Sequence, residues 1–309
     1  MKLRRAALAL LAAAATTGTV AMALPTPGTG TPQPLPPLTA RALASRYAAD
    51  ARAITRAMRA AERSGDGQRA RALAALRTRQ VVFFDPRGPG LAGEVIGNLA
   101  TARHVAILVP GADTSLSTFF APRPTSPGVA ASALAAQAHR LDPGERFAVI
   151  AWLGYPAPDT FRPAVLTSGD AGRGAQALRP LVRALARHGD QVALLCHSYG
   201  SVVCGLAAPH LPAADIAVFG SPGMDASSVG ALHTTARVWA GLESRDWMRY
   251  VPHVRLLGLG FGADPASPGF GARAFATGGG GHSDYLRPGS ASLRNLALIA
   301  LGRAAEVTR

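Results

Sequence analysis

From residue 81 onward, apolar residues fall in short, nearly unbroken runs with helical stretches between them. Residues 81–84, 104–109, 147–152, 191–195, 214–219, 237–240 and 254–259 read as strands, and 93–99 as a strand that pairs with the first. Most of these runs end in Gly, Pro or polar residues, as at Pro110-Gly111 and Gly154-Tyr155. Apolar positions three and four apart predict helices over 129–140, 174–188 and 290–303. Strands apolar on both faces, alternating with helices, predict an α/β fold: a mostly parallel central sheet with helices on both faces. Sites in such folds gather beyond the carboxyl ends of the strands.

This pattern fills residues 80–309. Before it, residues 38–79 show helical spacing of Ala, Leu and Arg, broken into two helices at Gly65-Asp66-Gly67 and carrying no recognisable chemistry. Residues 24–37 are mostly Pro, Thr and Gly, an extended linker. Residues 1–23 join a basic start, an apolar stretch and the small-residue site Ala21-Met22-Ala23, which predicts a cleaved signal peptide and a secreted or extracytoplasmic protein.

Charge changes the picture little. Loss of Lys2, Arg4 and Arg5 with the signal takes the formal charge from +14 to +11. The basic residues that remain are all arginine, spread along the chain with a concentration over 41–79. They lack the aromatic interleaving that stacks bases, and no nucleic-acid motif accompanies them. The expectation is no nucleic-acid partner and a solvated basic surface, able to associate loosely with an anionic cell envelope. The composition sets no oligomeric state.

Chemistry concentrates at Cys196-His197-Ser198-Tyr199-Gly200, between an apolar run and the small and apolar residues 201–208. A strand turning sharply into a helix through a serine is the nucleophile elbow, G-x-S-x-G, here with Cys196 at the first glycine. The bland alternative is a serine that merely caps a helix. Cys196 and Cys204 flank the turn, and in an exported protein they are candidates for a disulfide, with two buried thiols as the alternative. Two cysteines with no suitably spaced histidine make no zinc site.

A serine hydroxyl needs a base to take its proton. His282 follows Gly278-Gly279-Gly280-Gly281 and precedes the last helix, which suits a base that must reach the sheet rim. His197 is expected to point away from the serine's proton, and the other six histidines read as structural. An acid should orient the imidazole. Asp246 is the first choice, Asp225 and Glu243 are rivals, and Asp264 is the outlier. The oxyanion donors expected are the backbone N–H groups of Tyr199 and Ala112, although Asp113 beside Ala112 would oppose a developing negative charge unless turned away.

With those residues in view, the chain resembles the α/β-hydrolase superfamily, and more narrowly an actinobacterial exported branch of largely unassigned function. The resemblance rests on residues 104–114, the elbow, the stretch 217–223, and 270–275 leading to Gly281-His282-Ser283. It implies serine hydrolysis through Ser198, His282 and an acid, with no metal or organic cofactor. The activity expected is cleavage of a small-molecule carboxylic ester. No lid-like apolar insertion is visible, which favours short or soluble acyl groups. An amidase or peptidase, or a non-catalytic envelope-associated binding protein on the same fold, are the alternatives.

Overall fold

The computed structural model describes residues 32–255 and 258–309. The predicted signal peptide and most of the predicted linker lie outside the described residues.

Among the described residues two helices come first, α1 (Ala40–Arg63) and α2 (Gly67–Leu76). The break between them has a local cause: Gly65 takes φ +74° and the Asp66 carboxylate caps α2 by accepting from Arg69 N at 3.0 Å. Then follow β1 (Gln80–Asp85), β2 (Leu91–Gly97), β3 (His104–Val109), α3 (Pro127–Leu141), β4 (Phe147–Leu153), α4 (Gly169–His188), β5 (Gln191–His197) and α5 (Gly200–Ala207). The chain closes with β6 (Asp215–Phe219), β7 (Gly223–Ala226), β8 (Arg237–Gly241), β9 (Phe261–Gly262), β10 (Arg273–Ala274) and α6 (Ala291–Ala300).

Eight strands form one sheet in the order β1-β2-β4-β3-β5-β6-β8-β10. β2 is antiparallel to both β1 and β4, and every later neighbour is parallel. The central strands are buried along nearly their whole length, as their unbroken apolar runs require. One face is covered by α4 and α5 through Leu178, Val182, Val202 and Val203. The other is covered by α3 and α6 through Ala130, Leu134, Leu293 and Leu296. Helix α1 serves both: Leu43 joins the first core and Ile54 the second. It therefore crosses the β1 edge, where Arg46 Nη1 donates to Val82 O at 2.9 Å, at the bulge between Val81 and Phe83.

The strand expected over residues 254–259 is absent among the described part of that run, of which 256–257 lie outside. Its physical obstacle is glycine: Gly258, Gly260 and Gly262 all take φ between +82° and +85°, which bends the chain out of extension. The sheet edge is instead the two-residue β10, and β9 pairs with β7 in a separate ribbon.

β3 and β5 are neighbours, but the helix after β3 covers one face and the helix after β5 the other. The crevice opened by such a divergence, at the carboxyl ends of these two strands, is where the fold offers a site.

Candidate active site

Ser198 sits at that crevice, on the turn from β5 into α5, with φ +52°. Its neighbours enforce the bend. A Cβ on Gly200 would lie 2.5 Å from Val109 O, so only glycine lets the helix approach β3 so closely. Ser198 N donates to Phe219 O at 3.0 Å. Cys196 and Cys204 are bonded, with Cα atoms 6.5 Å apart and both side chains fully buried. The cysteine at the first motif position thus ties the strand to the helix on either side of Ser198.

Ser198 Oγ lies 3.0 Å from His282 Nε2, and His282 Nδ1 lies 3.0 Å from both carboxylate oxygens of Asp246. Asp246 is wholly buried. Its Oδ1 accepts from Met248 N at 2.8 Å and its Oδ2 from the Tyr285 hydroxyl at 2.6 Å. Burial raises the Asp246 pKa, but the His282 hydrogen bond and charge, with the Tyr285 and Met248 donors, outweigh it and the net direction is down. The carboxyl is therefore ionised at neutral pH, aligned to hold Nδ1–H and leave Nε2 free to accept the serine proton.

The rival acids are placed elsewhere. Asp225 pairs with Arg255 at 2.8 Å, and Asp264 lies 3.8 Å from His253 Nε2. Glu243 is buried under the glycine loop, where it accepts from Gly280 N and from Ser292 Oγ, so it holds the loop that carries His282. Gly220, at φ +56°, is the floor of the site: a Cβ there would stand 2.9 Å from Asp246 Oδ2 and 3.1 Å from the His282 ring.

Two further side chains complete the network: Tyr285, to which the sequence reading gave no role, and His197, which it expected to point away from the serine. Tyr285 is fully buried, donates to Asp246 and accepts from Glu243 N at 2.9 Å. Burial and the adjacent Asp246 charge push its pKa up, so it stays a donor. His197 does point away from Ser198, and its Nε2 lies 2.8 Å from the His282 carbonyl oxygen. Burial first, and then the His282 charge, hold its pKa at about 3, so a neutral ring donates Nε2–H to that carbonyl. The only sequence signal for Tyr285 was its place three residues after His282.

On the other side of Ser198, the loop after β3 closes in. A Cβ on Gly111 would meet Ser198 Cβ at 2.7 Å and Oγ at 3.3 Å. Ala112 follows Gly111 in this loop and Tyr199 follows Ser198 at the start of α5; neither backbone N–H has a backbone acceptor among the described residues. Asp113 turns its carboxylate outward to Thr160, accepting from N at 2.9 Å and from Oγ1 at 2.6 Å. The loop is braced by Tyr155, whose hydroxyl donates to Pro110 O at 2.7 Å and whose ring stacks between Trp152 and Tyr199. Among the described residues no cluster of His, Cys, Asp and Glu is placed to hold a metal ion.

An eight-stranded, mostly parallel sheet with a serine on the sharp turn after β5 and a buried Asp–His pair beside it defines a protein of the α/β-hydrolase class. The chain belongs to the alpha/beta hydrolase family, whose sequence pattern matches residues 85–256. It is 35% identical over 255 residues to the uncharacterized protein Rv2079 of Mycobacterium tuberculosis, covering 71% of this chain and 38% of that protein. It is 31% identical over 155 residues to the uncharacterized protein Mb0988c of Mycobacterium bovis, covering 48% and 58%. The chain thus spans only part of the curated relatives' length. Among solved structures, a dienelactone hydrolase from Anabaena variabilis aligns with TM-score 0.44 and 15% identity, over 71% of this chain and 93% of that one. XC6422 from Xanthomonas campestris, described as a serine hydrolase without a lid, aligns with TM-score 0.41 and 14% identity, over 71% and 92%. At that remoteness these two add nothing to the topology above.

Proposed function

We propose that the protein is a serine hydrolase acting on carboxylic esters, with Ser198 as nucleophile, His282 as base and Asp246 as the acid that orients it. The observation that carries this reading is the unbroken hydrogen-bonded chain from Ser198 Oγ through His282 to Asp246, with each link at 3.0 Å. Ser198 Oγ attacks the acyl carbon while its proton passes to His282 Nε2. Asp246 stabilises the imidazolium, and Tyr199 N–H with Ala112 N–H receives the oxyanion. The imidazolium returns its proton to the departing alcohol. Water, deprotonated by His282, then attacks the acyl-enzyme and releases the acid and Ser198.

Export fits this reading, and the buried Cys196–Cys204 disulfide supports folding in an oxidising compartment. The test is a fluorophosphonate probe together with p-nitrophenyl acetate turnover. Labelling and turnover that both vanish in Ser198→Ala are expected, and Asp246→Asn should lower kcat by about 10⁴. A folded protein that neither labels nor turns over esters would establish a binding protein on this fold, and faster anilide than ester cleavage would establish an amidase.

A further inference from the structure

Among the described residues four large apolar side chains stand exposed: Phe161 at 86%, Trp247 at 41%, Tyr250 at 47% and Val254 at 51%. They are not scattered. Phe161 lies in the loop after β4 and the other three in residues 244–255, after β8. Both loops leave the carboxyl ends of parallel strands, the edge at which Ser198 opens, and they are joined where Gly260 N donates to Leu166 O at 3.0 Å. Thr160, beside Phe161, binds Asp113 of the oxyanion loop, and the Trp247 ring lies 4.8 Å from the His282 ring. Lone exposed apolar residues need no explanation, but four on two joined loops at the edge where Ser198 opens mark an interaction surface.

Charge selects the occupant. Within residues 244–255, Asp246 and Met248 point inward while Arg245, Trp247, Arg249, Tyr250, Val254 and Arg255 are exposed. Asp246 is the segment's one carboxylate and is committed to His282. Arg255 pairs with Asp225, but Arg245 and Arg249 have no carboxylate within 4.0 Å among the described residues. The loop after β4 carries exposed Asp159 and Arg162 on either side of Thr160 and Phe161, and Asp113 of the loop after β3 accepts from Thr160. Rings interleaved with arginines suit the headgroup layer of a lipid surface, where amphipathic rings settle and cations meet anionic headgroups. Phe161 and Val254 have no polar handle for a sugar, which disfavours a polysaccharide.

We infer that this edge docks on an anionic lipid surface, and that the ester delivered to Ser198 is the acyl ester of a lipid held in it. The second half rests on the hydrolase reading; the docking does not. In this reading a lipid ester takes the place of the short or soluble acyl group expected from the sequence.

The protein has three tryptophans, and Trp152 and Trp239 are at most 2% exposed, so a change in emission on adding vesicles reports Trp247. The titration uses Ser198→Ala, which cannot turn lipid over, with phosphatidylglycerol vesicles and with phosphatidylcholine vesicles. A blue shift and co-sedimentation with the anionic vesicles, at least about tenfold tighter than with the neutral ones, are expected. Phe161→Ser should weaken that partition about tenfold or more, and Arg249→Gln about fivefold on anionic vesicles only. In the otherwise native chain, neither substitution should change turnover of a soluble ester. No shift and no co-sedimentation at low ionic strength would overturn the docking. Equal partition to neutral vesicles would overturn the anionic assignment, and tighter binding to alginate than to vesicles would give the surface to a polysaccharide. Docking is read without chemistry, so its failure is distinct from a failure of the wild-type protein to hydrolyse esters.

Discussion

Ser198, Asp113 and Asp225 are three of the five non-glycine residues with positive φ among the described residues, and each lies at the carboxyl-edge crevice or on the ribbon beside it. A left-handed backbone at such residues costs on the order of 1 kcal/mol or more, and persists only where surroundings enforce it. For Ser198 they do so with Gly200, with Phe219 O and with the disulfide. Serine and histidine were legible because their residue types and glycine-rich settings are distinctive. The acid was not unique in sequence, since several carboxylates follow β6 and only their placement in space separates Asp246 from Asp225 and Glu243. Tyr285 was invisible because a donor to a buried carboxylate leaves no periodic trace. Its removal has a signed consequence. The depressed Asp246 pKa gives stability that is complete above the unfolded carboxyl range and lost as pH falls through the folded value. Tyr285→Phe deletes one of the donors that depress it, so the acid-side loss of both activity and stability should begin at higher pH, with kcat at neutral pH down about tenfold. Rate and melting profiles across acidic pH would show this; an unmoved acid limb would deny Tyr285 that role. Gly220→Ala should be harsher, lowering kcat by about 10² by displacing Asp246 or His282, since misplacement of about 1 Å costs that much.

At the scale of elements, helices α1 to α6 and the central strands were readable because burial on both faces writes continuous apolar runs, and because a cap such as Asp66 marks its own position. The edge was not. Two residues of β10 carry no periodicity, and the run from 254 looked like a strand until its glycines took left-handed angles. The bond between β5 and α5 closes a separation of eight residues, for which chain entropy gives about 2–3 kcal/mol. Cys196→Ala with Cys204→Ala should therefore lower Tm by roughly 5 °C or more in calorimetry, and should also loosen Ser198, so that fluorophosphonate labelling slows below the melting range. A Tm unchanged by the double substitution would mean that packing alone holds the elbow. A second element-level effect lies in α1 and β2. Burial pushes Glu94 up to about 7 against the pull of Arg79, and Asp50 up to about 6 against that of Arg46. Because the folded values exceed the unfolded ones, this contribution is complete below about pH 4 and lost as pH rises to 7. Glu94→Gln should consequently raise Tm at pH 8 while changing little at pH 4.5, and an equal change at both would refute the assignment.

Across the whole molecule, the arginine-rich composition said little about function until exposure sorted the side chains. Among the described residues, Arg162 beside Phe161 and the arginines of residues 244–255 stand next to exposed rings on the loops at the entrance to Ser198. The sheet order carries the more general lesson: the switch between β3 and β5 fixes where the crevice opens, and strand order is not written in any local pattern.

The path of α1 across the β1 edge bears on how this protein can be cut. Sequence patterns invite a boundary at residue 80, yet Leu43 and Ile54 plug opposite sides of the sheet and Arg46 occupies the carbonyl at the β1 bulge. A fragment starting at Gln80 would expose both interiors at once and bare a strand flank to any passing chain, so it should aggregate more readily than the longer protein. The helices ahead of the sheet are its hem, and trimming them unravels the cloth.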